Sequence, residues 1–484
     1  MWSIILLAIF FVAMIVIGLW GMKKTSSLND FFLGSRSIGP WVSAIAYGTS
    51  YFSAVLFIGF AGKLGWGFGL NALWIAAGNA LIGSLGAWLV LGRRTRIMTQ
   101  NLDVMTMPEF LQERFEGKNI KIYTAILIFI FLLPYSASVF KGLGHLFEVN
   151  FNISYDVALL IMIALTGFYL VLGGYFAITL TDFIQGIIMV VGSIAMIAVL
   201  MNEGGGVPVM IDKINQGYRA HIGTPGAGHY IMLAALVFMT SFGVWGLPQM
   251  VQKYYAIRDQ KVIRTAAWVT TGFAVIVVFA AYLNGAMTHA FYDAIPLVEG
   301  KPAFDRLIPD LLKSHLPAGL MALILLLVLS ASMSTLSSLV LVSSSSVAID
   351  LYKGHINPQV SKDNSLMMMR FLSGLFIIIS YFIAKFKIAI IVTLMALSWG
   401  VVAGSFMAPY IFALYWKRTT RAGVWAGMLS GGLTTVVLFF VLGASKSPIA
   451  SSLGMIVPFL VTPLVSIMTS PPSREVLDRS FEGI

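Results

Sequence analysis

About thirteen apolar runs divide this chain, and each approaches the roughly 20 residues that an α-helix needs to cross the hydrocarbon of a bilayer. They lie near 2–22, 40–61, 67–92, 122–146, 155–174, 180–202, 229–251, 265–289, 317–348, 367–384, 388–416, 422–443 and 449–469. Inside lipid no water satisfies the backbone, so only helices and closed barrels span. The runs are long and continuous, unlike the short alternating strands of a barrel, so they predict helices. The composition agrees: 58% hydrophobic, 11% charged, mean hydropathy +0.89. The expected fold class is an all-α polytopic membrane protein with about 13 transmembrane helices.

The loops orient those helices. With the amino end outside, about two thirds of the Lys and Arg residues fall on the cytoplasmic side, the excess that sets membrane topology. This places the tail from Pro471 in the cytoplasm and accounts for the net charge of +11 without an acidic partner such as nucleic acid. The expected location is the plasma membrane. The run 2–22 lacks a basic leader and a small-residue cleavage site, so it reads as a retained helix. There is no cysteine, which excludes disulfides, thiolate metal sites and cysteine nucleophiles. Thr106-Met107-Pro108-Glu109 reads as a capping box opening a short amphipathic helix through Phe115 at the membrane surface. The segments 202–229 and 291–317 read as external loops. No Walker lysine motif is present, so energy must come from an existing gradient.

One span is rich in hydroxyls: Ser330, Ser332, Ser334, Thr335, Ser337 and Ser338, then Ser343 to Ser346. A single serine on a membrane helix commonly bonds back to its own i−4 carbonyl. A cluster without any carboxylate offers neutral oxygens, which suit a hard, weakly held monovalent cation. Ser334 and Thr335 are therefore candidate sodium ligands.

Two spans look interrupted. The run 40–61 carries Gly48-Thr49-Ser50-Tyr51-Phe52-Ser53, and the run 229–251 carries Gly243-Val244-Trp245-Gly246-Leu247-Pro248. Unsatisfied backbone at membrane depth is tolerated around a cavity or an ion. These are spans two and seven, which fits a five-helix repeat over 40–202 and an inverted one over 203–416. Residues 1–39 then form an extra amino-terminal helix and loop, and 417–484 two further helices and a tail. Asp182 and Lys141 are ionisable groups within spans and so functional candidates. Lys141 either snorkels outward or pairs with an anionic group of a substrate.

Taken together, several segments resemble the sodium:solute symporter family. They are Asp30-Phe31-Phe32-Leu33-Gly34-Ser35-Arg36, Gly173-Gly174 to Thr181-Asp182 with Gln185, Met333-Ser334-Thr335-Leu336-Ser337, Asp350-Leu351-Tyr352, and Trp416-Lys417-Arg418 to Gly423. The resemblance implies a leucine-transporter-like core of ten helices in a 5+5 inverted repeat, preceded by one helix and followed by two. It implies sodium-coupled import of a small organic solute by alternating access. It implies a sodium site of the Ser334 and Thr335 hydroxyls with the carbonyls of Thr49, Phe52 and Ala331, and Asp182 near the inner exit. Solute contacts would come from Ser53, Tyr135, Ser136, Trp245 and Pro248, with Lys141 added if it faces the cavity. Tyr51 and Thr240 stand where the proline type has aspartate and tryptophan, and the flanking stretches look closer to the pantothenate and monocarboxylate members.

The expected function is thus sodium symport of an anionic or zwitterionic solute: a monocarboxylate, a pantothenate-like compound or an amino acid such as proline. The alternatives are proton coupling through Asp182 or Lys141, and a sodium/sugar-type symporter. A channel would need a continuous polar stripe or charged ring. A membrane enzyme would need clustered His, Asp or Glu, and the six histidines are scattered.

Overall fold

The structure is a computed structural model and describes residues 2–24, 32–172, 175–298 and 300–484. Asp30, Phe31, Gly173 and Gly174, which contribute to the family resemblance, lie outside the described residues. In chain order the helices are α1 (Trp2–Lys24), α2 (Pro40–Tyr51), α3 (Val55–Asn101), α4 (Met107–Phe115), α5 (Lys118–Phe151) and α6 (Tyr155–Leu172). They continue with α7 (Tyr175–Glu203), α8 (Val207–Ile222), α9 (Ala227–Phe242), α10 (Pro248–Tyr255), α11 (Lys261–Phe291) and α12 (Phe304–His315). The last are α13 (Ala318–Ile356), α14 (Lys362–Lys385), α15 (Ile391–Tyr415), α16 (Arg421–Leu442), α17 (Ser447–Met468) and α18 (Arg474–Phe481). Among the described residues the only strands are a two-residue pair, Leu297–Val298 with Lys301–Pro302.

Among the described residues ten helical stretches are long and apolar enough to cross a membrane, and Ile4–Trp20 and Tyr155–Ala164 are shorter apolar helices. The protein is therefore an all-helical, multi-pass membrane protein. Its outward faces carry Trp74, Phe440 and Met468, more than 60% exposed in each case, as side chains that meet lipid do. The centre is α15, whose apolar span is 94% buried.

The two interruptions have local causes. α2 opens with Pro40 in its first turn and ends where Phe52 turns extended (φ −111°, ψ 112°). The Ser53 hydroxyl accepts the Val55 amide at 3.2 Å, capping the restarted helix. α9 passes through a tight turn at Gly243–Gly246, and Leu247 is extended (φ −84°, ψ 121°) ahead of Pro248. Proline lacks a backbone N–H and pushes the preceding residue out of the helical region, so a helix must stop there and start again.

The structure departs from the sequence reading in four places. The run 40–61 is not one helix, because its second half joins the next run in α3, which bends at Gly69 (φ 53°). The run ending near 251 continues as helix to Tyr255. Both segments read as external loops contain helices, α8 and α12. α12 buries Leu307, Ile308, Leu311 and Leu312, while Pro309 and four charged residues hide its periodicity from a hydropathy scan. Finally, α4 is capped as expected, with the Thr106 hydroxyl accepting the Glu109 amide at 3.1 Å, but it is not a surface helix. Phe110, Leu111 and Arg114 are fully buried, and Thr106 donates to Asp350 at 2.7 Å.

Candidate functional site

Two helices far apart in sequence meet at the hydroxyl cluster. Ser334 Oγ lies 2.9 Å from the Thr49 carbonyl oxygen, 3.0 Å from that of Ser330 and 3.1 Å from that of Ala331. Thr335 Oγ1 lies 3.3 Å from the Thr49 carbonyl, 3.2 Å from that of Ser50 and 3.1 Å from that of Ala331. Each hydroxyl has one proton, so two protons face four carbonyls. Thr49 and Ser50 sit in the last turn of α2, where no further helical turn supplies N–H groups. The outcome is a buried, electron-rich pocket of neutral oxygens, which fits a monovalent cation. Thr49, Ala331, Ser334 and Thr335 lie together there, with the Ser50 and Ser330 carbonyls, and the Phe52 carbonyl is not among these contacts. Phe52 closes the same helix end, its ring stacked on Tyr51 at 4.1 Å.

Asp182 is not among these oxygens. Its carboxylate pairs with Lys253 Nζ at 3.4 Å, and that ammonium also donates to Ser338 Oγ at 3.1 Å. Sequence reasoning missed Lys253 because it placed the residue just beyond the end of a span. The available signal was its spacing from Pro248: it falls in the second turn of the restarted helix, on a stretch still rich in aromatic residues.

A small cavity of about 20 Å³, room for little more than one water, lies where the two broken helices face α15 and α5. Tyr51, Phe52 and Ser53 line it from the first break, Thr240 from the second, with Tyr135, Tyr282, Asn79 and Trp399 around them. Tyr135 meets Trp399 edge-on at 5.8 Å, and Tyr51 stacks near Trp399 at 6.1 Å. Ser53 and Tyr135 are thus at the cavity. Ser136 is buried but is not among the lining residues, and among the described residues its hydroxyl has no partner. Trp245 instead donates to the Ile82 carbonyl at 3.1 Å, and Pro248 lines a separate cleft with Gln252 and Asp350. Asn79, Tyr282 and Trp399 were not legible as site residues, since polar and aromatic side chains scattered through long spans carry no local pattern.

Lys141 is not brought to the cavity either. Its ammonium pairs with Asp305 of α12 at 2.7 Å and donates to the Ala389 carbonyl at 2.8 Å, just ahead of α15.

Residues 31–431 match the sodium:solute symporter family. The chain belongs to that family. It is a sodium-coupled solute symporter and not an enzyme. Among curated relatives it is similar to the osmoregulated proline transporter OpuE of Bacillus subtilis (strain 168), with 30% identity over 477 residues that cover 97% of this chain and 96% of the relative. The sodium/proline symporter of Staphylococcus aureus (strain bovine RF122 / ET3-1) is 30% identical over 489 residues, 98% of this chain and 94% of the relative. Of solved structures, a Na+-coupled sialic acid symporter in a substrate-bound outward-open state superposes with a TM-score of 0.77 at 15% identity, covering 97% of this chain and 98% of the other. MHP1, a nucleobase-cation-symport-1 family transporter, gives 0.52 at 13% identity, with 93% and 97% covered. At such identities these two bear on the fold, which is leucine-transporter-like.

Proposed function

We propose that this symporter imports a compact zwitterion or small carboxylate together with sodium, with Ser334, Thr335 and the carbonyls of Thr49, Phe52 and Ala331 as the sodium ligands. The observation that carries the sodium assignment is the convergence of two hydroxyls from α13 on the open carbonyls at the end of α2. An ion there ties the broken helix to α13 and favours the arrangement in which they approach, the outward-open state. A ligand shifts a conformational equilibrium only through such differential affinity.

The cavity supports the solute class. Among the described residues its lining holds no charged side chain: it is made of aromatic rings, the aliphatic side chains of Val55, Leu56 and Met395, hydroxyls and the Asn79 amide. The restarted helix α3 presents its amino-terminal end to it, through Val55 and Leu56. A helix amino terminus favours a carboxylate, as at the broken helices of inverted-repeat transporters. With Lys141 held by Asp305, recognition of that carboxylate falls to neutral donors at Ser53, Tyr135 and Asn79. The names of the 30%-identical relatives make proline the first compound to test. Proton coupling gains no support from Asp182 or Lys141, since each is held in an ion pair.

In this reading the architecture is thirteen spans, with 40–202 and 203–416 as inverted repeats, 1–39 before them and 417–484 after. The amino end lies outside and the tail in the cytoplasm of a plasma-membrane transporter. The test is uptake of labelled proline, small monocarboxylates and a hexose into proteoliposomes, with inward sodium or potassium gradients. Sodium-dependent uptake of an amino acid or carboxylate is expected. Uptake of the hexose alone, or uptake indifferent to sodium, would overturn the assignment.

A further inference from the structure

The buried pair Asp182–Lys253 plays no part in the cycle outlined above, yet it sits against the sodium ligands. Ser338, which accepts from Lys253, follows Thr335 by three residues and so lies one helical turn further along α13. Its hydroxyl is 2.9 Å from Ser50 Oγ, and the Ser50 carbonyl accepts from Thr335 at 3.2 Å. One continuous polar chain therefore runs from Asp182 on α7 through Lys253 on α10 and Ser338 on α13 to the end of α2. The side chains of Lys253 and Asp182 are 1% and 0% exposed. The second carboxylate oxygen, Asp182 Oδ1, is buried and has no hydrogen-bond partner among the described residues.

A carboxylate beside serine hydroxyls in a buried place is a donor set for a hard monovalent cation. Here the positive charge is supplied by the chain. An ammonium and a sodium ion make the same demand on such a place, one charge met by oxygen atoms, and two of them would repel across a few ångströms of low-dielectric interior. We infer that Lys253 is a tethered cation: its ammonium permanently fills a second monovalent-cation site formed by Asp182 and Ser338, so that each protein binds, and each cycle carries, a single sodium ion. This rests on the reading of Ser334 and Thr335 as sodium ligands. Because the lysine cannot leave, it keeps Asp182 neutralised through the cycle without adding to the charge transported.

The test is equilibrium binding of radioactive sodium to the purified protein in detergent, counted per chain. The wild type is expected to bind one ion, and a count of two overturns the proposal whatever the variants do. Lys253→Gln keeps most of the side chain's length and drops its charge, and Lys253→Ala removes both. Either is expected to raise the count to two, while Lys253→Arg holds it at one. A Lys253→Gln or Lys253→Ala protein that elutes as a single species and still binds one ion shows a structural ion pair only and overturns the inference. Ser334→Ala is expected to take one ion from each background. If it leaves the wild-type count intact, the sodium site itself fails. A wild-type count of two that falls to one in Ser334→Ala would overturn the tethered cation alone.

Discussion

Ser334 Oγ stands 2.9 Å from the carbonyl oxygen of Thr49, a residue 285 positions earlier in the chain. The contact joins the unwound end of α2 to the middle of α13, and Thr335 repeats it one residue on, at 3.3 Å to the same carbonyl. Both helices are held by buried apolar side chains, Leu325, Leu329, Leu336 and Leu339 on α13 and Ala44 and Tyr47 on α2, so their folding does not depend on these two hydroxyls.

Ser334→Ala and Thr335→Ala are therefore expected to weaken sodium without unfolding the protein. Each should raise the sodium concentration for half-maximal uptake by about tenfold or more, equivalent to about 1.4 kcal/mol. The melting temperature without sodium should change little. Sodium titration of uptake, beside thermal melting in sodium and in potassium, checks both halves. Unchanged sodium dependence would remove these residues from the site.

Lys141 and Asp305 make a second long-range tie, from α5 to α12, with both side chains nearly buried and the Ile391 amide 3.4 Å from the same carboxylate. Removing one member of a buried ion pair leaves the other uncompensated, at a cost of about 3–5 kcal/mol. Lys141→Met and Asp305→Leu are each expected to lower the melting temperature, and the double variant to recover much of the loss. A double variant worse than either single one would show that the pair is not the relevant unit.

The spans were legible because hydropathy is a local property and lipid imposes it along whole helices. Pro248 and the Thr106–Glu109 spacing were legible for a similar reason, since a missing N–H and a helix cap act within one turn. The candidate ion site was half legible. Ser334 and Thr335 stand out as hydroxyls in an apolar run, but their facing carbonyls come from backbone, which any sequence supplies. Lys253 and Asp305 were not legible. Lys253, just past a span, reads as its boundary, and Asp305, in the middle of a segment read as a loop, reads as solvated; only the partners, Asp182 and Lys141, show that each is buried. α8 and α12 were hidden because helices at the rim need only one apolar face.

Gly285 and Gly65 let α11 and α3 approach backbone to backbone. A methyl on Gly285 would press into the Ala61 carbonyl, and one on Gly65 into the backbone of Gly285. Gly285→Ala is expected to cost about 1–3 kcal/mol through overpacking, read as a lower melting temperature. Gly272 on the same helix has nothing within 4 Å of that position. Gly272→Ala should leave stability unchanged or raise it by up to about 1 kcal/mol, since alanine is the better helix former.

Tyr135 and Trp399 meet edge-on across the cavity between the broken helices, and Tyr51 closes it by donating to the Thr240 carbonyl at 2.5 Å. Among the described residues none of these side chains hydrogen-bonds to the candidate sodium oxygens, so solute and ion recognition are expected to be separable there. Trp399→Ala removes the largest apolar wall. An aromatic contact contributes about 0.5–1.5 kcal/mol beyond its buried area, so the KM for the solute should rise at least about two- to tenfold. Sodium binding measured without solute should stay near the wild-type value. Tyr135→Phe keeps the ring and deletes one hydroxyl, and a rise in KM there would mark that hydroxyl as a solute contact. If both variants changed sodium binding and left KM alone, the solute would have to bind elsewhere along the path between the broken helices.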